Sequence, residues 1–146
     1  MKFITSAFST LILVAGVLGQ SAYIETPTKG NSVTAGTSLV IDVVRPNTIS
    51  SSVEIGIAIG IASCAASRCY SAAETLGTLL YNGIFNPQYD AKPFETGQYQ
   101  PHQEITVQIP EDFTKGDAQI NFAHFFLLGA SLSPTVETSS VSVEVK

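Results

Sequence analysis

The sequence contains no tryptophan, little positive charge and only two cysteines, and these shortages argue against whole classes of function. Seven Lys and Arg residues stand against twelve Asp and Glu residues, and no basic cluster occurs anywhere in the chain. Because phosphate recognition depends on Lys and Arg, we expect no binding to nucleic acid. The absence of Trp argues against a site that binds sugars by aromatic stacking.

Long apolar runs are also missing, apart from one at the start of the chain. A positively charged N-terminus precedes a short apolar stretch that the small residue Gly19 closes. This is the pattern of a secretory signal, whereas a membrane-spanning helix needs about 20 predominantly apolar residues. We therefore predict a signal peptide over residues 1–19, no membrane span, and a single domain over residues 20–146. Cleavage after Ala22 is the alternative to cleavage after Gly19.

The two cysteines, Cys64 and Cys69, are separated by four residues. Export into an oxidising compartment makes a disulfide the expected state of such a pair. Zinc would need four Cys and His ligands, and the two histidines, His102 and His124, do not lie at a finger-like spacing from the cysteines. The sequence therefore predicts a disulfide, with no metal and no other cofactor.

Alternation of apolar and polar residues predicts a series of strands along the chain. The clearest run covers residues 53–62, where Val and Ile alternate with Glu, Gly and Ala. We expect Val53 and Ile55 to share the buried face with the isoleucines that follow, and the Gly/Ala set to lie on the other face. Further strands are predicted around residues 23–24, 39–44, 78–81, 105–109, 118–126 and 141–145. About seven strands favour an all-β, immunoglobulin- or fibronectin-like antiparallel β-sandwich.

The stretch 85–103 lacks periodicity and is rich in proline and tyrosine. Connections of this length inside a domain are uncommon and are often functional, although an ordered crossover packed by its own aromatic side chains is the alternative. We select Tyr89, Phe94 and Tyr99 as candidate partner-binding residues.

No set of residues with a recognised catalytic pattern is present, so we predict that the protein is not an enzyme. Serines are numerous, but none lies in a G-x-S-x-G elbow. His124 is in phase with the apolar face of its strand, which favours a core histidine with a backbone partner over a catalytic base. His102 lies in the proline-rich connection and is expected to be solvated.

Five stretches resemble the necrosis-inducing secreted protein family of fungal effectors. The most specific is the run P-x-x-F-x-K-G-x-A-Q-x-N-x-A-H-F, from Pro110 to Phe125. One segment departs from the family pattern, because the residues after the second cysteine read YSAAE where the family is often proline-rich. The five stretches are SAYIETPTKG, VEIGIAIGIASC, LGTLLYNGIFNPQY, IPEDFTKGDAQINFAHFFLLGA and ETSSVSVEV.

The resemblance implies an effector that binds host proteins without catalysis. Family members suppress pattern-triggered immunity by associating with plant receptor-like kinases, and some provoke cell death. We accordingly expect a secreted monomer that acts outside or inside the host cell. The alternatives are a structural or carbohydrate-associated protein of the fungal wall and a hydrolase that uses His124.

Overall fold

The computed structural model describes residues 21–64, 68–89 and 100–146, which form strands, turns and connections without a helix. These described residues contain eight strands where the sequence predicts about seven, because the pattern does not reveal a two-residue strand near the start. The strands are β1 (Tyr23–Thr26), β2 (Ser32–Val33), β3 (Ser38–Val44), β4 (Ser52–Ser63), β5 (Thr78–Gly83), β6 (His102–Gln108), β7 (Gly116–Leu128) and β8 (Ser133–Val145). The all-β prediction is confirmed.

The strands form two sheets, one of three strands in the order β1-β3-β6 and one of five strands in the order β2-β8-β7-β4-β5. The pairing is antiparallel except between β2 and β8, which run parallel. The expectation of antiparallel pairing is therefore wrong for this one pair. In the larger sheet, the long strands β4, β7 and β8 lie side by side and form its centre.

Inward-facing side chains from both sheets form one hydrophobic cluster. Alternation along each strand places every second side chain in this core, as the period of two requires. The isoleucines of β4 from Ile57 onward are buried as the sequence predicts, and so are the alternate apolar residues of β7 from Ala118 to Phe126. The fully buried members with the largest side chains are Phe85, Phe122, Ile41, Ile59, Ile61, Ile109 and Ile120.

A β-bulge interrupts the first half of β4 and reverses its faces. Glu54 lies opposite Phe126 and Gly56 lies opposite Phe125, so that Ile55 has no partner of its own on β7. One extra residue shifts the alternation by one position, because successive side chains of a strand point to opposite faces. Val53 and Ile55 are consequently 49% and 41% exposed, and the prediction that they are buried is wrong.

The disulfide between Cys64 and Cys69 is present, as the sequence predicts. The loop that it introduces packs back on the larger sheet, where the Asn121 side-chain amide donates a hydrogen bond to the carbonyl oxygen of Thr75 at 3.1 Å. In the described part of the chain, no helix is long and apolar enough to cross a bilayer.

The stretch predicted as an irregular surface connection is partly built into the fold. Phe85 is 1% exposed in the core, and Gln88 forms an isolated bridge with His102, the first residue of β6. Residues 90–99, which include Phe94 and Tyr99, lie outside the described residues.

Candidate functional site

His124 lies on the inward face of β7, and its side chain is fully enclosed. The ring of Phe126 stacks against the imidazole with centroids 4.9 Å apart, and the ring of Phe85 meets it edge-on at 4.8 Å. An ionisable ring in this apolar setting requires polar partners for its nitrogens, because an unpaired buried polar group is costly.

Both nitrogens of His124 face carboxylates. Nδ1 lies 2.8 Å from Oε1 of Glu137, which occupies the directly opposite position on β8, and Nε2 lies 2.5 Å from Oε2 of Glu54 on β4. The two carboxylate side chains are themselves only 15–16% exposed. The bulge in β4 allows the contact between His124 and Glu54, because it directs the Glu54 side chain to the same face of the sheet as His124.

Further groups contact one oxygen of each carboxylate. Oε1 of Glu54 accepts a hydrogen bond from the Ser52 hydroxyl at 2.6 Å and forms an ion pair with Nε of Arg45 at 3.3 Å. Oε1 of Glu137 accepts from the backbone N–H of Ala22 at 3.0 Å. The Arg45 guanidinium also lies 4.8 Å from the ring centroid of Phe126. We refer to Arg45, Glu54, His124 and Glu137 as the charge cluster.

The pKa values within the charge cluster move toward the charged forms. Burial alone would lower the pKa of His124, but its contacts with Glu137 and Glu54 outweigh burial and raise the pKa above 6.5. Burial alone would raise the pKa of Glu54, yet His124, Ser52 and Arg45 hold it below 4.5. The pKa of Glu137 is likewise lowered, chiefly by its hydrogen bond with His124 against the effect of burial. With His124 protonated, two positive and two negative charges balance.

A second feature lies on the outer face of the larger sheet. Small residues of β4 and β7 form the floor of a shallow groove of about 410 Å³, beside the exposed side chains of Phe125 and Val136. No acidic, Lys or Arg residue lines the groove. We define the outer groove by Gly56, Ala58, Ala123, Phe125 and Val136. The exposed Val53 and Ile55 lie with Gly56 in the first half of β4.

The chain is similar to known proteins over nearly its whole length. The model of the Nis1 family matches residues 20–144. The chain is also 32% identical over 145 residues to Necrosis-inducing secreted protein 1 of Colletotrichum orbiculare, across 99% of this chain and 81% of the relative. The chain belongs to the Nis1 family. It is a secreted effector of this family, as the resemblance carried by the run from Pro110 to Phe125 implies.

Sequence reasoning locates only part of the charge cluster of this Nis1-family protein. His124 is buried as predicted, but the prediction of a backbone partner is wrong, because both ring nitrogens face carboxylates. Glu137 could be found by pairing β7 with β8 as a hairpin. Glu54 could not, because regular alternation from the isoleucines of β4 places it on the outer face.

The other histidine of this Nis1-family protein also differs from expectation. Nδ1 of His102 lies 2.8 Å from Oδ1 of Asp42, and the His102 side chain is only 12% exposed. The prediction that His102 is solvated is therefore wrong, because β6 continues to this residue and pairs it with the end of β3. Among the described residues, no group of His, Cys, Asp and Glu side chains is arranged to hold a metal ion.

Of the three predicted partner-binding residues, Tyr89 alone lies in the described part of this Nis1-family chain. Its ring is 60% exposed, and its hydroxyl donates a hydrogen bond to Oδ1 of Asn47 at 2.5 Å. Tyr89 lines a surface pocket of about 310 Å³ together with Arg45 and Glu54. The start of the 85–103 connection therefore lies at the same end of the molecule as the charge cluster.

Proposed function

We propose that this protein is a fungal effector that suppresses plant pattern-triggered immunity by binding host receptor-like kinases, without catalysis. The observation that carries the proposal is membership of the Nis1 family over residues 20–144, together with 32% identity to Necrosis-inducing secreted protein 1. The relative's name associates it with secretion and necrosis. Kinase binding is our inference from the family resemblance.

The geometry of His124 supports binding rather than catalysis. A catalytic base must reach the proton it removes, directly or through one water. His124 is 0% exposed, and each of its nitrogens already faces a carboxylate. The histidine of the charge cluster is therefore placed to hold the fold together, and a hydrolase that uses it would first have to open the core.

The outer groove is the surface that we propose for the kinase. Val136 is 63% exposed and Phe125 is 38% exposed, beside a floor of glycine and alanine to which a partner can approach closely. Contiguous exposed apolar surface of this kind marks interaction sites in soluble proteins. The exposed ring of Tyr89, with Phe94 and Tyr99, forms a second proposed contact.

Co-precipitation of the secreted protein with the cytoplasmic domains of several plant receptor-like kinases tests the proposal. Val136→Asp should reduce recovery of the kinase at least tenfold, because it places a charge in the apolar groove. The matched control is Val40→Asp, since Val40 is also exposed, at 42%, but lies on β3 in the other sheet. The oxidative burst that a microbial peptide triggers in leaf tissue provides the functional readout.

Two outcomes would contradict parts of the proposal. Failure of the wild-type protein to bind any of the kinases, with an unchanged oxidative burst, would overturn kinase binding and immune suppression. An equal loss of kinase recovery with Val136→Asp and with Val40→Asp would show that the outer groove is not the contact surface. Replacing Tyr89, Phe94 and Tyr99 together by Ala, against Tyr70→Ala as the control, tests the second contact in the same assay.

We further propose that the two sheets are arranged as an immunoglobulin-like sandwich. Lettered in chain order, the strand orders β1-β3-β6 and β2-β8-β7-β4-β5 correspond to A-B-E and A′-G-F-C-C′. The single hydrophobic cluster between the two sheets supports this arrangement. A crystal structure with a different strand order in either sheet would contradict it.

A further inference from the structure

We infer that the charge cluster is a pH-sensitive latch, which fastens the N-terminal strand in mildly acidic medium and releases it at higher pH. The latch consists of His124 between two carboxylates, one of which also holds the backbone of Ala22. It is separate from the outer groove, because His124 and the two carboxylates lie on the inward face of the larger sheet and the groove lies on the opposite face.

The carboxylates on both sides of His124 favour a doubly protonated ring. Nδ1 lies 2.8 Å from Glu137 and Nε2 lies 2.5 Å from Glu54, so that each nitrogen makes a favourable electrostatic contact when it carries a hydrogen. A neutral imidazole has one N–H and one lone pair. Loss of the proton would therefore turn a lone pair toward one of the two carboxylates inside the core.

The charges around His124 come from three elements. Glu54 lies on β4, Glu137 lies on β8, and Arg45 directly follows β3. Phe85 and Phe126 cover the remaining sides of the ring and carry no charge. The cluster is neutral when His124 is charged, and it carries one uncompensated negative charge when His124 is neutral.

The direction of each pKa shift defines the pH range in which the latch is closed. The pKa of His124 is raised above 6.5, so the protonated ring stabilises the folded state fully below pH 6.5. This stabilisation is lost as the pH rises through the pKa of His124 in the folded state. The pKa values of Glu54 and Glu137 are lowered below 4.5, so the two carboxylates stabilise the folded state fully above pH 4.5. This stabilisation is lost as the pH falls through their pKa values in the folded state. The latch is therefore strongest between pH 4.5 and pH 6.5.

The N-terminal strand is the element that the latch controls. Ala22 is 2% exposed, and its N–H donates to the same Oε1 of Glu137 that contacts His124. The following strand, β1, is at the edge of its sheet and pairs with β3 alone among the described strands. When His124 loses its proton, its contact with Glu137 is no longer an ion pair, and the uncompensated negative charge of the cluster draws Glu137 toward solvent. The Ala22 hydrogen bond breaks with it, so β1 is released from one end.

Hydrogen exchange and histidine titration on the whole secreted chain test the latch. After correction for the intrinsic pH dependence of exchange, amides of residues 22–26 should exchange at least tenfold faster about one pH unit above the midpoint of the His124 titration, measured by NMR, than about one unit below it, while amides of β7 should not. One unit of pKa shift corresponds to about a tenfold change in an equilibrium constant. A wild-type His124 that titrates below 6.5 by NMR would overturn the proposal whatever the variants do.

Three variants separate the latch from a general effect of pH. Glu137→Gln should remove the pH step in exchange, because a side-chain amide no longer requires a protonated histidine. His124→Gln should remove it as well, whereas His102→Gln should retain it, since His102 pairs with Asp42 elsewhere. Retention of the step in Glu137→Gln, its loss in His102→Gln, or equal acceleration throughout the domain would contradict the latch.

Discussion

Gly77 lies where the loop after the disulfide returns to β5, in a backbone conformation with a φ of +77°. A Cβ atom at this position would overlap the backbone carbonyl of Ile61. Gly30 has a similar φ of +84° but has no neighbouring atom within 4 Å of the corresponding position. Gly30 is therefore required only for its left-handed conformation, whereas Gly77 is required both for its conformation and for the absence of a side chain.

Gly77→Ala should destabilise the domain more than Gly30→Ala. Both variants place an alanine in the left-handed region, which costs about 1 kcal/mol. Gly77→Ala adds steric overlap with β4, which costs about a further 1–3 kcal/mol. Urea denaturation measures both free energies of unfolding, and equal values for the two variants would contradict the close approach of the loop to Ile61.

Among single residues, the sequence predicts the environment of His124 better than its partners. Its position in an apolar alternation is a local property, which the pattern of β7 contains. Its carboxylate partners depend on neighbouring strands, one of which carries a bulge. The pair between His102 and Asp42 is missed for a related reason, since 60 positions separate the two residues and only sheet pairing brings them together.

At the scale of a strand, the bulge in β4 connects the core to the charge cluster. Ile57 and Glu54 are three positions apart but point to the same face, because Ile55 is an extra residue in the ladder. Removing Ile55 would leave Glu54 opposite Phe126, Gly56 opposite Phe125 and Ile57 opposite His124. The pairing would then be regular, with both faces unchanged.

Deletion of Ile55 should therefore preserve the fold and the charge cluster. Deletion of Ala58 is the matched control, since it removes one residue from the regular part of the same strand and moves the preceding residues to the wrong face. We expect cooperative thermal unfolding for the first variant and loss of the folded state for the second. Similar behaviour of the two deletions would contradict the register of β4 and β7.

The bulge also explains why the pattern of β4 predicts the strand correctly and its faces incorrectly. Val53 and Ile55 have the spacing of core residues, and no proline or turn residue marks the interruption. Gly56 is the one local signal, because glycine inside a strand often accompanies a bulge. Gly60 also accompanies a register shift, but in the pairing of β4 with β5 and not with β7, so glycine alone does not identify which strand pair carries the bulge.

At the scale of the whole molecule, the residues just before β1 are part of the fold. Ala22 is buried and donates a hydrogen bond to Glu137. We propose that residues 1–19 are removed as a signal peptide and that residues 20–146 form one domain. Cleavage after Gly19 retains Ala22, whereas cleavage after Ala22 would discard it.

Protein that begins at Tyr23 should be less stable than protein that begins at Gln20, by about 2 kcal/mol, since a hydrogen bond to a charged group is lost. Protein that begins at Ala22 is the control, because it retains the buried residue and its nitrogen. Urea denaturation at pH 6 measures the difference, and mass spectrometry of the secreted protein identifies its first residue. Equal stability of all three proteins would contradict a structural role for Ala22.

The parallel contact between residues 30–35 and 142–146 determines how the domain responds to mechanical force. Four backbone hydrogen bonds of 2.8–3.2 Å join the two segments, from Gly30 to Ser142, Glu144 to Asn31, Lys146 to Val33 and Ala35 to Lys146. Because β2 and β8 run parallel, tension applied between the two ends of the chain pulls the segments in opposite directions along their length. The four bonds then bear the load together in shear, so forced unfolding by a pull on both ends would be slow.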